Sequence, residues 1–464
     1  MYDSSIAPLR YEGEGVERIA PHVLPKLLGV LVVIVAALRF ASPLAQVICA
    51  CLALYALRGA RQSLEALSLL AFMLIVGGGN LSLLRWIVLF AAFGRALWDG
   101  ILLDAPWPRF FAPLLAFFAV ILVFSLLTSQ MPIVSAFKLI SFTVGVGTVF
   151  TAFHRTLHLR DYWLAWFFTL SIFIVLTSAP LAGTSLGYER GAGFQGILSH
   201  PQTFGPISAT IASFLTGLCL FHQNRSKLVM ISAVLAWTGL YGSQSRTALL
   251  AAILGLAIAV GVGLFKTQSW QLQIKRVATS LGTMVAAVVG LAFIAIFWSN
   301  VQSAIVGFLL KDEGQASVVA SLEDSRGGLI ERSMSNFYSA PITGIGLGVP
   351  SDASRARVET GAFGLPVGAS VEKGFMPSAV LEETGIVGAI LVVLMIGYLI
   401  WPVIHGAPLA LFWMLLTSLL VNFGEMVFFS VGGMGFYFWI IMAFCYTYAV
   451  ASLIDRNAHS PIVR

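Results

Sequence analysis

The chain has 464 residues, of which 58% are hydrophobic and only 10% charged, against about 25% charged in an ordinary soluble domain. With a mean hydropathy of +0.90, this composition excludes a string of soluble domains and predicts an all-α polytopic membrane protein. The net charge of +6, from 27 basic and 21 acidic residues, reads as loop topology and lipid contact rather than nucleic-acid binding.

The first 25 residues are polar and of mixed charge, without the pattern of a cleavable signal peptide. A helix needs about 20 apolar residues to cross the hydrocarbon core. Runs of that kind fall near 26–39, 44–57, 63–77, 81–98, 110–127, 132–153, 162–179, 204–221, 228–241, 247–265, 279–298, 377–402, 408–424 and 434–454. Several early runs are short, so the expectation is about 12–14 transmembrane helices. Cys49, Cys51, Cys219 and Cys445 all lie inside apolar runs. They offer neither a disulfide framework nor a spaced metal set.

The basic residues set the orientation. Arg10, Arg18 and Lys26 precede or open the first run. Arg58 and Arg61 separate the second and third. His154, Arg155, His158 and Arg160 follow the sixth, Arg225 and Lys227 the eighth, and Lys266, Lys275 and Arg276 the tenth. Arg456 and Arg464 end the chain. Simple alternation puts every cluster on one face. Lysine and arginine in short loops are retained in the cytoplasm, so both termini are predicted to be cytoplasmic. Three segments then fall outside: 177–202, 242–246 and 299–376. The chain divides into N-terminal transmembrane helices over 1–298, a large extracytoplasmic loop over 299–376, and C-terminal transmembrane helices over 377–464. The large loop carries eight acidic and six basic residues, so no single-sign field dominates it. No internal repeat or low-complexity tail is present.

The polar chemistry therefore gathers on the outer face. Arg190 sits in Glu189-Arg190-Gly191-Ala192-Gly193, followed by His200-Pro201-Gln202. Glycines let a backbone approach a ligand closely, and a guanidinium binds phosphate through paired N–H groups. A surface arginine paired to Glu189 is the plainer alternative. Arg246 lies in Ser243-Gln244-Ser245-Arg246-Thr247, at the mouth of an apolar helix. Either it snorkels to the interface, or it joins the hydroxyls and the helix N-terminus in holding an anion. Glu372 and Lys373 close the long loop, either as a base and a cation of the site or as a surface pair. Glu382 and Glu383 open the next helix, where carboxylates complement the helix dipole. Gly344-Ile345-Gly346-Leu347-Gly348 lacks the strand–helix–strand setting of a dinucleotide loop. It is expected to be a compact turn that packs the loop on the membrane domain. Glu65, Arg85 and Lys138 are isolated charges within apolar runs, lining a cavity or snorkelling. The histidines form no zinc-type pattern.

Four features occur in order: the arginine–glycine loop, Ser245-Arg246-Thr247-Ala248, Pro341-Ile342-Thr343-Gly344-Ile345-Gly346-Leu347-Gly348, and Glu383-Thr384-Gly385-Ile386-Val387-Gly388. Together they resemble the O-antigen ligase and Wzy-type polysaccharide polymerase superfamily, by motif over about 185–390 and elsewhere by hydropathy. The resemblance implies a C-type glycosyltransferase-like fold. It also implies metal-independent, inverting transfer of a glycan from a polyprenyl-diphosphate carrier, without a cofactor. Its two diphosphate-binding arginines fall by motif on Arg190 and Arg246. The family ligases carry His-Asn about nine residues before the glutamate of the Glu-x-Gly turn. Here Gly374 and Phe375 stand there, beside Glu372 and Lys373.

That departure favours a polymerase of exopolysaccharide or capsule repeat units over a ligase acting on lipid A core. A lipid-linked oligosaccharide flippase is the alternative from another class. The expected machinery is Glu372 as base, with Arg190 and Arg246 on the leaving diphosphate, aided by Lys373 and Ser245. His200, Glu383 and Glu425 are further candidates. The expected partners are the polyprenyl-diphosphate-linked donor, a glycan acceptor, the lipid bilayer and other envelope polysaccharide-assembly proteins, with no nucleic acid. The expected location is a bacterial inner membrane.

Overall fold

The computed structural model describes residues 14–40, 42–77, 81, 84–190, 193–222, 226–266, 268–298, 302–303, 327–352, 358–360, 366–369 and 373–459. Each of the fourteen apolar runs becomes a helix. In chain order these are α1 (Glu14–Phe40), α2 (Ser42–Ala56), α3 (Ala60–Gly77), α4 (Leu84–Leu97), α5 (Phe111–Thr128), α6 (Pro132–Arg155), α7 (Arg160–Ser178), α8 (Pro201–Phe221), α9 (Lys227–Gly242) and α10 (Arg246–Phe265). After the short α11 (Gln268–Ala278) come α12 (Leu281–Ile296), α13 (Gly328–Ser339), α14 (Met376–Gly406), α15 (Leu409–Leu420) and α16 (Gly433–His459). Among the described residues, eight helical spans are long and apolar enough to cross a bilayer, and three apolar helices are shorter. The protein is thus a helical, multi-pass membrane protein in a lipid environment.

Burial sorts the helices. The apolar windows of α3 and α16 are 78% and 83% buried inside the bundle, whereas those of α5 and α14 are only 22% and 28% buried. The first pair makes the centre, and the second pair turns most of its surface to lipid. Glu65 shows what a charge does in the centre. It is buried in α3 and accepts Arg61 Nε at 2.7 Å, Tyr55 Oη at 2.5 Å and the Tyr162 hydroxyl. Glu65 thus pins α2, α3 and α7 together through these three partners.

Two helices, α11 and α13, and a short hairpin lie outside the fourteen apolar runs. α11 is amphipathic, with Trp270 buried, stacked on Phe412 and donating to Ala407 O at 3.3 Å. Within the long loop, α13 is followed by an antiparallel hairpin, β1 (Val358–Thr360) with β2 (Pro366–Ala369). The all-α expectation is corrected to that extent. The turn after α15 also differs from a simple outer loop. Phe429 stacks on Phe117 of α5 and meets Phe142 of α6 edge-on. Val431 fills the space over Gly145, about halfway along α6. This segment therefore dips into the bundle.

The bundle puts the loop 179–188 and the loop 103–110 at opposite ends, because α6 ends at Arg155 beside Ala96 and α7 carries the chain back. Single cysteines at exposed Leu186 and Leu103, with the four native cysteines replaced, should therefore react with an impermeant thiol reagent from opposite sides. Leu186Cys should label in intact spheroplasts and Leu103Cys only after lysis. The reverse pattern would invert the orientation expected from the basic loops.

Candidate functional site

The N-terminal ends of α8, α10 and α14 and the turns packed on them form one connected surface. The loop before α8 comes first. Glu189 is held by Arg39 of α1, whose Nη1 lies 3.1 Å from Oε2, while Arg39 Nη2 donates to Ile197 O at 3.3 Å. Glu189 is thus paired across the bundle and not with its neighbour. The backbone of Arg190 donates to the buried Gln195 side chain at 3.2 Å. The Arg190 side chain is exposed and has no ion-pair partner among the described residues.

His200 is the N-cap of α8. Its Nδ1 accepts the Gln202 backbone N–H at 3.1 Å, so the neutral ring carries its proton on Nε2. Burial, and then the Arg190 charge, hold the imidazole below its ordinary pKa. In this geometry the neutral ring offers its Nε2–H as a donor. It would have to give up the helix cap to act as a base through Nε2.

The loop is seated on the 243–245 turn. Phe194 N donates to Gly242 O at 2.8 Å. A Cβ at Gly193 would come within 2.5 Å of Ser243 O, and one at Gly205 would overlap Ser245. Only glycine allows that approach. Gln244 takes a positive φ of 56° to complete the turn. Ser245, buried and N-capping α10, donates its backbone N–H to Ser243 Oγ at 3.3 Å. Arg246, half-buried, is the first residue of α10. Its neighbour Thr247 packs on Gly424, beside half-buried Glu425. Phe423 in turn meets Phe375 edge-on at 6.0 Å, which brings the start of α14 to the same place. Arg190, His200, Ser245, Arg246 and Glu425 are thus joined through one set of packed turns. Glu372 lies outside the described residues.

Lys373 is placed differently from the sequence reading. It is 1% exposed, with Nζ 2.9 Å from Glu382 Oε2 and 3.5 Å from Glu383 Oε1. Its charge faces two buried carboxylates and not an open mouth. Glu382 also accepts Ser333 Oγ at 2.8 Å, Asn336 Nδ2 at 2.7 Å and Ser351 Oγ at 3.1 Å. A buried carboxylate is tolerable only when its lone pairs are met in this way. The cluster clamps α13 and the loop onto the membrane helix. Ser333 and Asn336 lie three apart on one face of α13, a spacing visible in the sequence but hidden inside a segment rich in Gly, Ser and Ala. Glu383 Oε2 is buried and accepts no hydrogen bond from the described residues.

The glycine turn completes the arrangement. Ile345 N donates to Glu382 O at 2.9 Å, Gly346 N to Glu383 O at 3.1 Å, and Ile386 N to Pro341 O at 2.9 Å. The loop strand lies along the helix because α14 is interrupted at Gly385, with φ 64° and ψ −171°. Gly344, Gly346 and Gly348 all have positive φ. The compact packing turn expected from the sequence is what forms. Lys138 of α6 lies across Gly348, and Arg85 of α4 lies against Gly432. These two charges therefore meet backbone turns.

Gly385→Ala should break this junction. The backbone there is essentially restricted to glycine, at a penalty of about 1–3 kcal/mol for another residue, and an added Cβ would overlap Ile342 O. The variant is expected to lose the native peak in size-exclusion chromatography at temperatures the wild type survives. An unchanged melting profile would show that the interruption is not needed.

Among the described residues no group of three or more His, Cys, Asp or Glu side chains could hold a metal ion. No protein-family profile, no curated protein and no solved structure matches this chain.

Proposed function

We propose that the protein is a membrane glycosyltransferase that polymerises exopolysaccharide or capsule repeat units from a polyprenyl-diphosphate carrier at the extracytoplasmic face of a bacterial inner membrane, with both termini cytoplasmic. The observation that carries this reading is the joining of an exposed Arg190, a donor His200 and a half-buried Arg246 at a helix N-terminus on one end of the bundle. These groups suit a diphosphate leaving group. Preorganised positive charge and N–H donors stabilise charge that develops as the carrier departs. Ser245 supplies its hydroxyl beside Arg246, and Lys373 holds the α13–α14 junction.

In the proposed reaction an acceptor hydroxyl attacks the anomeric carbon of the donor sugar. The bond from that carbon to the diphosphate oxygen breaks, and its electron pair leaves with the carrier diphosphate. The hydroxyl proton passes to a carboxylate, for which Glu372 is assigned. Glu425 and Glu383 come next. Glu425 is half-buried beside Thr247, whereas Glu383 is enclosed with Lys373. Inversion follows from a single displacement.

The interruption in α14 bears on the second reading, a flippase for lipid-linked oligosaccharide, because transporters bind substrate at broken helices near the midplane. Here the break leaves residues 386–406 as a continuous helix of about 30 Å, enough to cross the core. Glu382, Glu383 and Lys373 then sit at its outer edge, which suits an enzyme working at the surface.

Glu372→Gln tests the assigned base. General-base catalysis contributes about 10²–10⁴-fold, so turnover of a purified lipid-linked donor should fall by that order while donor binding persists. Near-normal turnover would move the base to Glu425 or Glu383.

A further inference from the structure

The end of the bundle opposite this site carries a second basic cluster. There the chain leaves α4, passes through the π-helix Trp98–Leu102 and runs over 103–110 into α5. Arg95 Nη2 lies 2.7 Å from Asp99 Oδ1. Arg155 Nη1 lies 3.4 Å from Asp99 Oδ2 and donates to Ala96 O at 2.8 Å. The Arg155 guanidinium also stands 5.4 Å from the Trp107 ring. One buried carboxylate is shared by two cations, which fixes the position of both.

Arg58 and Arg109 extend the charge. Arg95 Nη1 donates to Leu57 O at 3.4 Å, which brings Arg58 alongside. Arg109 lies two residues beyond Trp107, whose ring faces the Arg155 guanidinium. Both arginines are exposed and neither has an ion-pair partner among the described residues. The loop itself adds one more acid, the exposed Asp104. Four arginines thus stand against two aspartates.

Beside these charges the same loop exposes Trp98, Ile101, Leu102 and Leu103, the last three by more than 60%. A soluble anion makes no use of such a rim. In a bilayer, indole rings settle at the headgroup level and guanidinium groups pair with phosphate oxygens. Apolar rim and unpaired arginines together match an amphiphile with an anionic head.

We propose that the 98–110 loop is a binding site for an anionic phospholipid of the adjacent leaflet, its phosphate on Arg109 and Arg58 and its chains along Trp98 and Leu102. The Arg95–Asp99–Arg155 triad is the rigid floor of that site. The proposal is independent of glycosyl transfer at the other end.

The test uses the full chain, purified in a neutral detergent and titrated with phosphatidylglycerol or phosphatidylcholine under native mass spectrometry. Phosphatidylglycerol should be retained in preference. Arg58→Gln and Arg109→Gln, both at exposed positions without ion pairs, should each lower its affinity about five-fold, the worth of one arginine near an anionic membrane surface. Trp98→Ala should weaken the lipid further. Equal retention of the two lipids would overturn the proposal, as would unchanged phosphatidylglycerol affinity in the Arg58→Gln/Arg109→Gln double variant. Displacement of bound phosphatidylglycerol by inorganic phosphate would also overturn it, since the site would then be one for a free anion.

Discussion

Arg246→Ala is expected to abolish chain growth while the protein still inserts and folds. The residue opens α10 at a helix N-terminus and is half-buried, so its charge acts where water screens it least. Loss of one preorganised group on a developing anion lowers turnover on the order of 10²–10³-fold, enough to erase polymer in a cell. Arg190→Ala should behave in the same way. Lysine should rescue either position poorly, because an ammonium is a point charge without the planar fork that grips a phosphate. The measurement is polymer length in a complemented deletion strain, with membrane levels of each variant matched. Full-length polymer from either lysine variant would show that the two arginines do not form the diphosphate clamp.

Glu382→Ala should be the most destabilising single change near the site. It removes the partner 2.9 Å from Lys373 Nζ and strands Ser333, Asn336 and Ser351. Breaking a buried ion pair by deleting one partner costs about 3–5 kcal/mol, and Glu383, 3.5 Å from Lys373 Nζ, compensates the stranded lysine only in part. Replacing all three charges removes that burden, so Glu382→Met/Lys373→Met/Glu383→Met should recover part of the loss. Thermal unfolding in detergent, followed by size-exclusion chromatography, should rank wild type first, the triple variant second and Glu382→Ala last. A triple variant no better than the single would show that the hydrogen bonds to α13, and not the charges, hold the junction.

The membrane helices were legible from the sequence because spanning the bilayer demands a length of apolar chain that composition cannot disguise. All fourteen runs became helices, but among the described residues eight spans are long and apolar enough to cross a bilayer, against the expected 12–14, and 44–57 and 228–241 form the short α2 and α9. That Arg190, Ser245 and Arg246 share one end of the bundle follows from simple alternation of the helices. What stayed hidden depended on partners distant in the chain. Arg39 pairs with Glu189 across 150 positions, and no local pattern announces it. Glu382 and Glu383 looked like dipole caps, since their role needs Lys373 folded in from the loop and Ser333 from α13. Gly385 stands in the Glu383-Thr384-Gly385 motif, but its backbone break needs Pro341–Gly346 laid against the helix. Phe429 and Val431 carry no local signal of burial, because it depends on Phe117, Phe142 and Gly145 of distant helices.

The most direct measurement is reconstitution of the purified full chain into liposomes with a polyprenyl-diphosphate-linked repeat unit and no metal or nucleotide. Glycosyl transfer at the Arg190–Arg246 surface predicts products of two or more repeat units, with one polyprenyl diphosphate released for each new linkage, and neither in the Arg246→Lys variant. Movement of unextended lipid-linked saccharide between leaflets, without any new linkage, would contradict it and assign the protein to transport.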